Sequence, residues 1–207
     1  MTMKTTIAGI TFKNPIITAS GTFGFGREYN EFYDVGLLGG ICSKGLTLEP
    51  RQGNDPVRIA ETPSGLLNSV GLQNPGVEHF IEHELPFMKS TGAVVIANAA
   101  GSTESDYVKI VERLSATDVD MIELNISCPN VKCGGMAFGV SPDGVYAITK
   151  AVRKGCKKPL MIKLTPNVSD IAENARAAER GGADAISLIN TVAGMAVDYK
   201  TRRPVLK

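Results

Sequence analysis

Short apolar runs of strand length recur along this chain, each closing on a polar residue and most of them followed by a segment of helical pattern. The runs occupy residues 15–20, 39–45, 93–98, 121–126, 160–164 and 185–191, and the polar residues at their ends are Ser20, Lys44, Asn98, Asn125, Lys163 and Asn190. Strands alternating with helices build a parallel sheet, because each helix carries the chain back to the start of the next strand. A different polar residue at nearly every strand end favours closure, since a (β/α)₈ TIM barrel brings all of its strand ends to one mouth. A doubly wound sheet is the competing architecture, but the first turn lacks a Gly-x-Gly-x-x-Gly fingerprint opening a helix. The expected fold is therefore α/β, a (β/α)₈ barrel with about six of its eight units present, forming one domain over residues 1–207 that is incomplete at its C-terminus.

Several segments are read individually. Residues 5–13 alternate apolar and polar around Gly9, as a small hairpin ahead of the main fold does. A short helix is expected over 28–35, and a longer one over 77–89 with an imperfection at Pro86. Thr103-Glu104-Ser105-Asp106 carries capping chemistry for a helix whose apolar face is Tyr107, Ile110, Val111 and Leu114. Ser141-Pro142-Asp143 opens the next helix, and Ser169-Asp170 the one that Gly181-Gly182 ends. Residues 46–76 lack helical periodicity and are rich in Pro, Gly and Asn; so long an irregular stretch inside a compact domain tends to be functional. Residues 197–207 read as the connection after the sixth strand.

Composition excludes several classes. With 207 residues, 43% of them hydrophobic, the chain can bury one sizeable core. Its 22 basic and 21 acidic residues are interspersed, which gives no basic face for nucleic acid or a membrane surface. The four cysteines, Cys42, Cys128, Cys133 and Cys156, form no CxxC pair and only two histidines accompany them, so no metal site is expected. No apolar run reaches the roughly 18–20 residues of a membrane helix, and no secretory leader is read, so a cytoplasmic protein with reduced thiols is expected.

The richest stretch is Glu123-Leu124-Asn125-Ile126-Ser127-Cys128-Pro129-Asn130, continued by Val131-Lys132-Cys133-Gly134-Gly135. Pro129 has no backbone donor, so the strand must stop there, and Asn125, Ser127, Cys128 and Asn130 are delivered at its C-terminal end. A cysteine in that place is either a small buried hydrophobe or a reactive thiol; the neighbouring amides, costly to bury without partners, favour the second.

Asn-x-Ser-Cys-Pro-Asn followed by a Gly-Gly loop resembles the active-site segment of the class 1 dihydroorotate dehydrogenases, and the continuation through Gly139 is similar to the NAD-linked class 1B enzymes. The resemblance extends over essentially the whole chain. It implies FMN across the barrel mouth, dihydroorotate stacked on it, and Cys128 as the base that takes the C5 proton while hydride leaves C6 for the flavin. Cys133 is the competing candidate for that base. On the same resemblance, Lys44 meets both the flavin and the substrate carboxylate, and Lys163 lies beside the flavin ring. Asn68, Asn125, Asn190 and Thr191 grip the pyrimidine, with Ser69, Val70, Gly71 and Leu72 completing a substrate loop. Ser20, Gly45, Asn98, Asn125 and Ile189 contact the cofactor, Ile189 through its backbone, and Asn130 reaches substrate. The phosphate of FMN is expected on Gly-rich loops after strands seven and eight, at a helix N-terminus, and the six units read here include neither.

The resemblance also implies a separate electron-transfer subunit carrying FAD and a 2Fe-2S cluster, in a heterotetramer of two catalytic and two electron-transfer subunits. Other readings stay open on the residues alone. They are a fumarate-linked class 1A enzyme, another flavin-dependent pyrimidine oxidoreductase on the same scaffold, and a non-catalytic fragment.

Overall fold

The computed structural model describes residues 3–127 and 138–206. The chain opens with β1 (Thr5–Ile7) and β2 (Ile10–Phe12), an antiparallel pair joined at Ala8 and Gly9. Both turn residues have positive φ, 49° and 80°, as the favoured two-residue hairpin turn requires. A short helix α1 (Arg27–Asn30) and a 3-10 turn (Val35–Leu37) lead into β3 (Gly40–Cys42). The long connection after it contains an antiparallel hairpin, β4 (Ile59–Thr62) and β5 (Gly65–Asn68).

A continuous helical segment follows: α2 (Val77–His79), a π-helical stretch (Phe80–Glu84) and α3 (Leu85–Ser90). Pro86 falls at the start of α3, directly after the π turn. Its ring and missing N–H disrupt regular i→i−4 bonding with the preceding turn, and a wider turn accommodates the mismatch. The remaining elements alternate: β6 (Val94–Ala99), α4 (Glu104–Ser115), β7 (Met121–Asn125), α5 (Pro142–Arg153), β8 (Leu160–Lys163), α6 (Ile171–Gly181) and β9 (Ala185–Ser187). A minor hairpin, β10 (Val197–Asp198) with β11 (Arg203–Pro204), comes last.

The sheet is parallel throughout, in the order β3-β6-β7-β8-β9. Sequential strands are spatial neighbours, which is the winding of a barrel and not of a doubly wound sheet, whose order reverses at a switch point. The structure is thus a partial (β/α) TIM barrel, and the expected fold class holds.

Alternation along the strands divides two cores. Ile41, Val95, Ala97, Ile122, Leu124 and Ile162 face outward to meet Tyr107, Ile110, Val111 and Leu114 of α4, Val145, Ile148 and Val152 of α5, and Ala177 and Ala178 of α6. Cys42, Ile96, Met121 and Met161 face the barrel interior, where Phe12 of the opening hairpin packs against them and closes one end. Because side-chain direction repeats every two residues, the next inward positions toward the strand ends are Lys44, Asn98, Glu123 and Lys163. The capping expectations hold: Thr103 and Asp106 form a reciprocal capping box on α4, and Ser141 and Asp170 cap α5 and α6.

Four boundaries differ from the sequence reading. Residues 15–20 do not form a buried strand: only a bridge from Ile17 to Gly40 is made, and Ile16 is 56% exposed. Its contacts with the sheet are that bridge and isolated hydrogen bonds, such as the Cys42 N–H on Thr18 Oγ1 at 3.1 Å, so its apolar run builds no ladder. The helix expected over 28–35 is shorter and displaced, because Asp34 accepts the Gly36 N–H and starts a separate 3-10 turn. The stretch 46–76 is not wholly irregular, since it contains β4 and β5. The last parallel strand ends at Ser187 rather than continuing to Thr191.

Candidate functional site

Polar side chains gather where the parallel strands end. Asn125 ends β7, Lys163 ends β8, Asn98 lies one residue before the end of β6, and Lys44 lies two residues beyond β3. Pairing between the first two strands resumes past β3 through a Leu46–Ala99 bridge, so Lys44 and Gly45 are held in place although they are outside the strand itself. Leu46 donates to the Asn98 carbonyl at 2.8 Å and the Ser43 hydroxyl accepts the Asn98 N–H at 3.0 Å, which fixes the backbone on both sides.

The structure brings most of the expected residues together. Asn190 Nδ2 donates to Asn125 Oδ1 at 2.9 Å, and the Ser127 N–H reaches the same oxygen at 3.3 Å. Lys163 Nζ donates to Ser20 Oγ at 3.2 Å, so the polar end of the first segment meets β8 even though that segment forms no regular strand. Gly45 presents a bare Cα beside Asn98 and Leu72: a Cβ there would lie 2.9 Å from Asn98 Oδ1 and 3.0 Å from Leu72 Cδ1. Thr191 is exposed, with its N–H on the Asn190 side chain at 2.7 Å and its carbonyl accepting from Asn167 Nδ2 at 3.0 Å. Ile189, at 46% exposure, borders this end of the mouth.

The loop of Asn68, Ser69, Val70, Gly71 and Leu72 leaves β5 and is tied to its surroundings by backbone. Ser69 donates to the Arg58 carbonyl at 2.8 Å, and Val70 accepts from the Asn54 N–H at 3.0 Å. Gly71 and Leu72 both have positive φ, 74° and 56°. Asn68 itself is exposed, and among the described residues no hydrogen bond joins it to Asn125 or Asn190. The expected base Cys128, its competitor Cys133, and Asn130 lie outside the described residues.

Two titratable groups in this region have displaced titrations. Burial pushes the Lys44 ammonium below its ordinary range. No carboxylate lies within ion-pair distance of it among the described residues. Beneath the mouth, Cys42 is held well above its ordinary thiol range, first by burial and then by the charge of Glu123.

Sequence reasoning missed two residues. Glu123 sits in the barrel interior, 5% exposed, and binds side chains from three other strands. Its signal was available: an acidic residue in an apolar strand run is costly unless donors surround it. Asn74, also 5% exposed, accepts from the N–H groups of Thr47 and Gly76 and donates to Thr47 Oγ1 and the Leu72 carbonyl, so it anchors the return of the loop. The Asn-Pro-Gly tripeptide marks a turn but not this hub.

The arrangement suits a flat, polar, anionic ligand. Asn98 Oδ1 is buried and has no hydrogen-bond partner among the described residues, leaving an acceptor for a ligand donor. The bare Cα of Gly45 packs closely against it, where even a Cβ would be crowded. Asn125 and Asn190 offer amide edges, and Lys44 and Lys163 supply cations. Among the described residues no group of three His, Cys, Asp or Glu side chains is arranged for a metal ion, and no helix is long and apolar enough to cross a membrane.

Comparison with known proteins adds independent findings. The family model described as dihydroorotate dehydrogenase matches residues 2–207. Relatives named dihydroorotate dehydrogenase B (NAD(+)), catalytic subunit, are similar along the chain. The one from Thermoanaerobacter pseudethanolicus is 55% identical over 207 residues, covering 100% of this chain and 68% of the relative. That from Alkaliphilus metalliredigens is 56% identical over 204 residues, covering 99% and 68%. That from Caldicellulosiruptor saccharolyticus is 55% identical over 207 residues, covering 100% and 69%. The chain thus spans about two thirds of the length of these relatives.

Proposed function

Because the chain belongs to the dihydroorotate dehydrogenase family, we propose that it oxidises dihydroorotate to orotate in pyrimidine biosynthesis, with FMN at the mouth of its strands. The observation that carries the reading is the unpartnered Asn98 Oδ1 beside the bare Cα of Gly45, within a mouth lined by Lys44, Asn125, Lys163 and Asn190. These residues fit FMN: Ser20, Gly45, Asn98 and Lys163 form one side of the cradle, and Ile189 borders it. When bound, FMN supplies the acceptor for the hydride leaving C6 of the substrate ring.

The chain's own groups do the rest. Cys128 Sγ takes the proton from C5, adjacent to a carbonyl. Lys44 Nζ binds the substrate carboxylate, a charge-assisted contact that orients the ring. Asn125 and Asn190, braced on one another, and Asn68 and Thr191 read the ring's carbonyls and N–H groups, each amide offering donor and acceptor. Ser69 to Leu72 form the loop that covers substrate. Electrons leave for NAD through a separate subunit carrying FAD and a 2Fe-2S cluster, in a cytoplasmic heterotetramer; the relatives' designation as catalytic subunits supports the existence of a separate partner subunit.

The test is anaerobic: chain loaded with FMN, dihydroorotate added, and the visible absorbance of oxidised flavin followed. Bleaching is expected in the native chain and absent in Cys128→Ala, which still binds orotate. A flavin-loaded native chain that does not bleach, or a Cys128→Ala chain that bleaches at full rate, overturns the reading.

A further inference from the structure

Glu123 takes no part in the chemistry above, yet it is the most heavily bonded carboxylate of the barrel interior. It lies two residues below Asn125 on β7 and is 5% exposed. Its Oε1 accepts from Asn98 Nδ2 on β6 and from Cys42 Sγ on β3, the latter at 3.2 Å. Its Oε2 accepts from Ser187 Oγ on β9 at 2.7 Å. An ionised carboxylate only accepts, and these donors make its burial tolerable.

The consequence falls on Asn98. A carboxamide turned by half a revolution keeps its shape and exchanges its hydrogen-bonding character, offering outward an acceptor in one orientation and donors in the other. Ser43 fixes the Asn98 backbone N–H but not the amide. Glu123 does fix it: the reversed orientation would set Asn98 Oδ1 against a carboxylate oxygen and leave Nδ2 without this acceptor. The NH₂ group therefore points into the barrel, and Oδ1 points to the mouth beside Gly45, buried and unpartnered among the described residues.

We infer that Glu123 is a positioning residue that fixes Asn98 as a hydrogen-bond acceptor at the mouth, so that the site selects a ring presenting an N–H donor at that point. The inference deepens the proposed function and rests on it for the identity of the ring. Oxidised flavin carries a single ring N–H, in its pyrimidine-dione portion, and the selection is read with FMN and its analogue methylated at that nitrogen.

Two measurements test it. In the ¹⁵N-labelled chain without ligand, the Asn98 carboxamide, assigned by its loss in Asn98→Ser, is expected shifted and protected from exchange. Glu123→Gln, which can still accept from Asn98 while donating to Ser187, keeps that signature; Glu123→Met, of similar length without an acceptor, loses it. In flavin titrations the native chain and Glu123→Gln prefer FMN over the methylated analogue by about tenfold or more, and Glu123→Met brings the ratio toward one. General loosening of the site weakens both flavins together and leaves the ratio in place. An Asn98 signal unchanged in Glu123→Met, or a preference unchanged there, overturns the inference. A native chain that takes up neither flavin overturns the flavin reading instead, and the carboxamide signal then decides the role of Glu123 by itself.

Discussion

Asn190 Nδ2 donates to Asn125 Oδ1 across 2.9 Å, joining the chain just past β9 to the last residue of β7. The two amides are separated by a whole strand, and backbone N–H groups brace both, Thr191 on Asn190 Oδ1 at 2.7 Å and Ser127 on Asn125 Oδ1 at 3.3 Å. Tyr107 steadies the same corner from the helical layer, its hydroxyl on the Asn125 carbonyl at 2.7 Å. An outer helix and two strand ends are thus linked through one residue.

That pair makes a prediction about coupling. Asn190→Ala and Asn125→Ala each weaken orotate binding, by about 1–3 kcal/mol where a buried group is left unpaired. Because each substitution also removes the other's brace, the double variant should lose less than the sum. Orotate titrations on the four chains measure it; strict additivity would show that the pair does not act as a unit.

Lys44 gives a prediction about pH. Burial lowers its titration from the ordinary 10.5. Orotate is an anion and needs the charged ammonium, so its affinity should fall as pH rises through that lowered range, earlier than an ordinary lysine would allow. Stability moves the other way: between the folded and unfolded titrations the unfolded chain holds the extra proton, so the cost of burying this charge is relieved as pH rises. In Lys44→Arg, which stays charged, the alkaline loss of orotate affinity should disappear. An unchanged alkaline profile in that variant would assign the titration elsewhere.

Most of the frame was legible because strand ends announce themselves. Lys44, Asn98, Asn125 and Lys163 interrupt apolar runs at the positions where parallel strands stop, and capping residues marked α4, α5 and α6 without ambiguity. The β4–β5 hairpin was not legible, since Ile59 and Leu66 are more than half exposed and the segment carries no clean alternation. Residues 15–20 misled in the other direction: apolar composition predicted burial, but a strand also needs neighbours to pair with. An acidic residue in an apolar run signals that Glu123 needs donors, but which donors, from β3, β6 and β9, is a matter of register visible only in three dimensions.

Cys42 supplies a prediction on the thiol side. Burial and then the neighbouring Glu123 hold it above its ordinary 9.0. Above that pH the unfolded chain releases the thiol proton while the folded chain keeps it, so stability should decline as pH rises through 9.0. Denaturant melts of native protein and Cys42→Ala compared at several alkaline pH values isolate this slope from the cost of the substitution itself. Equal slopes in the two chains would refute the shift. The same thiol should ignore a thiol-specific reagent until the chain unfolds.

Gly45 concentrates the argument about the mouth into a single methyl group. A Cβ at this position would stand 2.9 Å from Asn98 Oδ1 and 3.0 Å from Leu72 Cδ1. The contact with Asn98 falls below what real Cβ atoms show, and Asn98 cannot readily retreat, because its backbone is held by Ser43 and its Nδ2 by Glu123. Leu72 meets the added carbon with the far end of a flexible side chain, so its Cδ1 is the atom that gives way. Gly45→Ala should therefore displace the Leu72 side chain and crowd the acceptor that Asn98 presents. The barrel cores lie on other residues, so the variant should lose no more than about 1–3 kcal/mol of stability, the usual scale of overpacking. Flavin and orotate affinity should fall together, by about tenfold or more if the Asn98 acceptor is blocked. Parallel melts and ligand titrations decide it. Ligand affinities that survive with stability reduced would move the functional mouth away from Gly45 and Asn98.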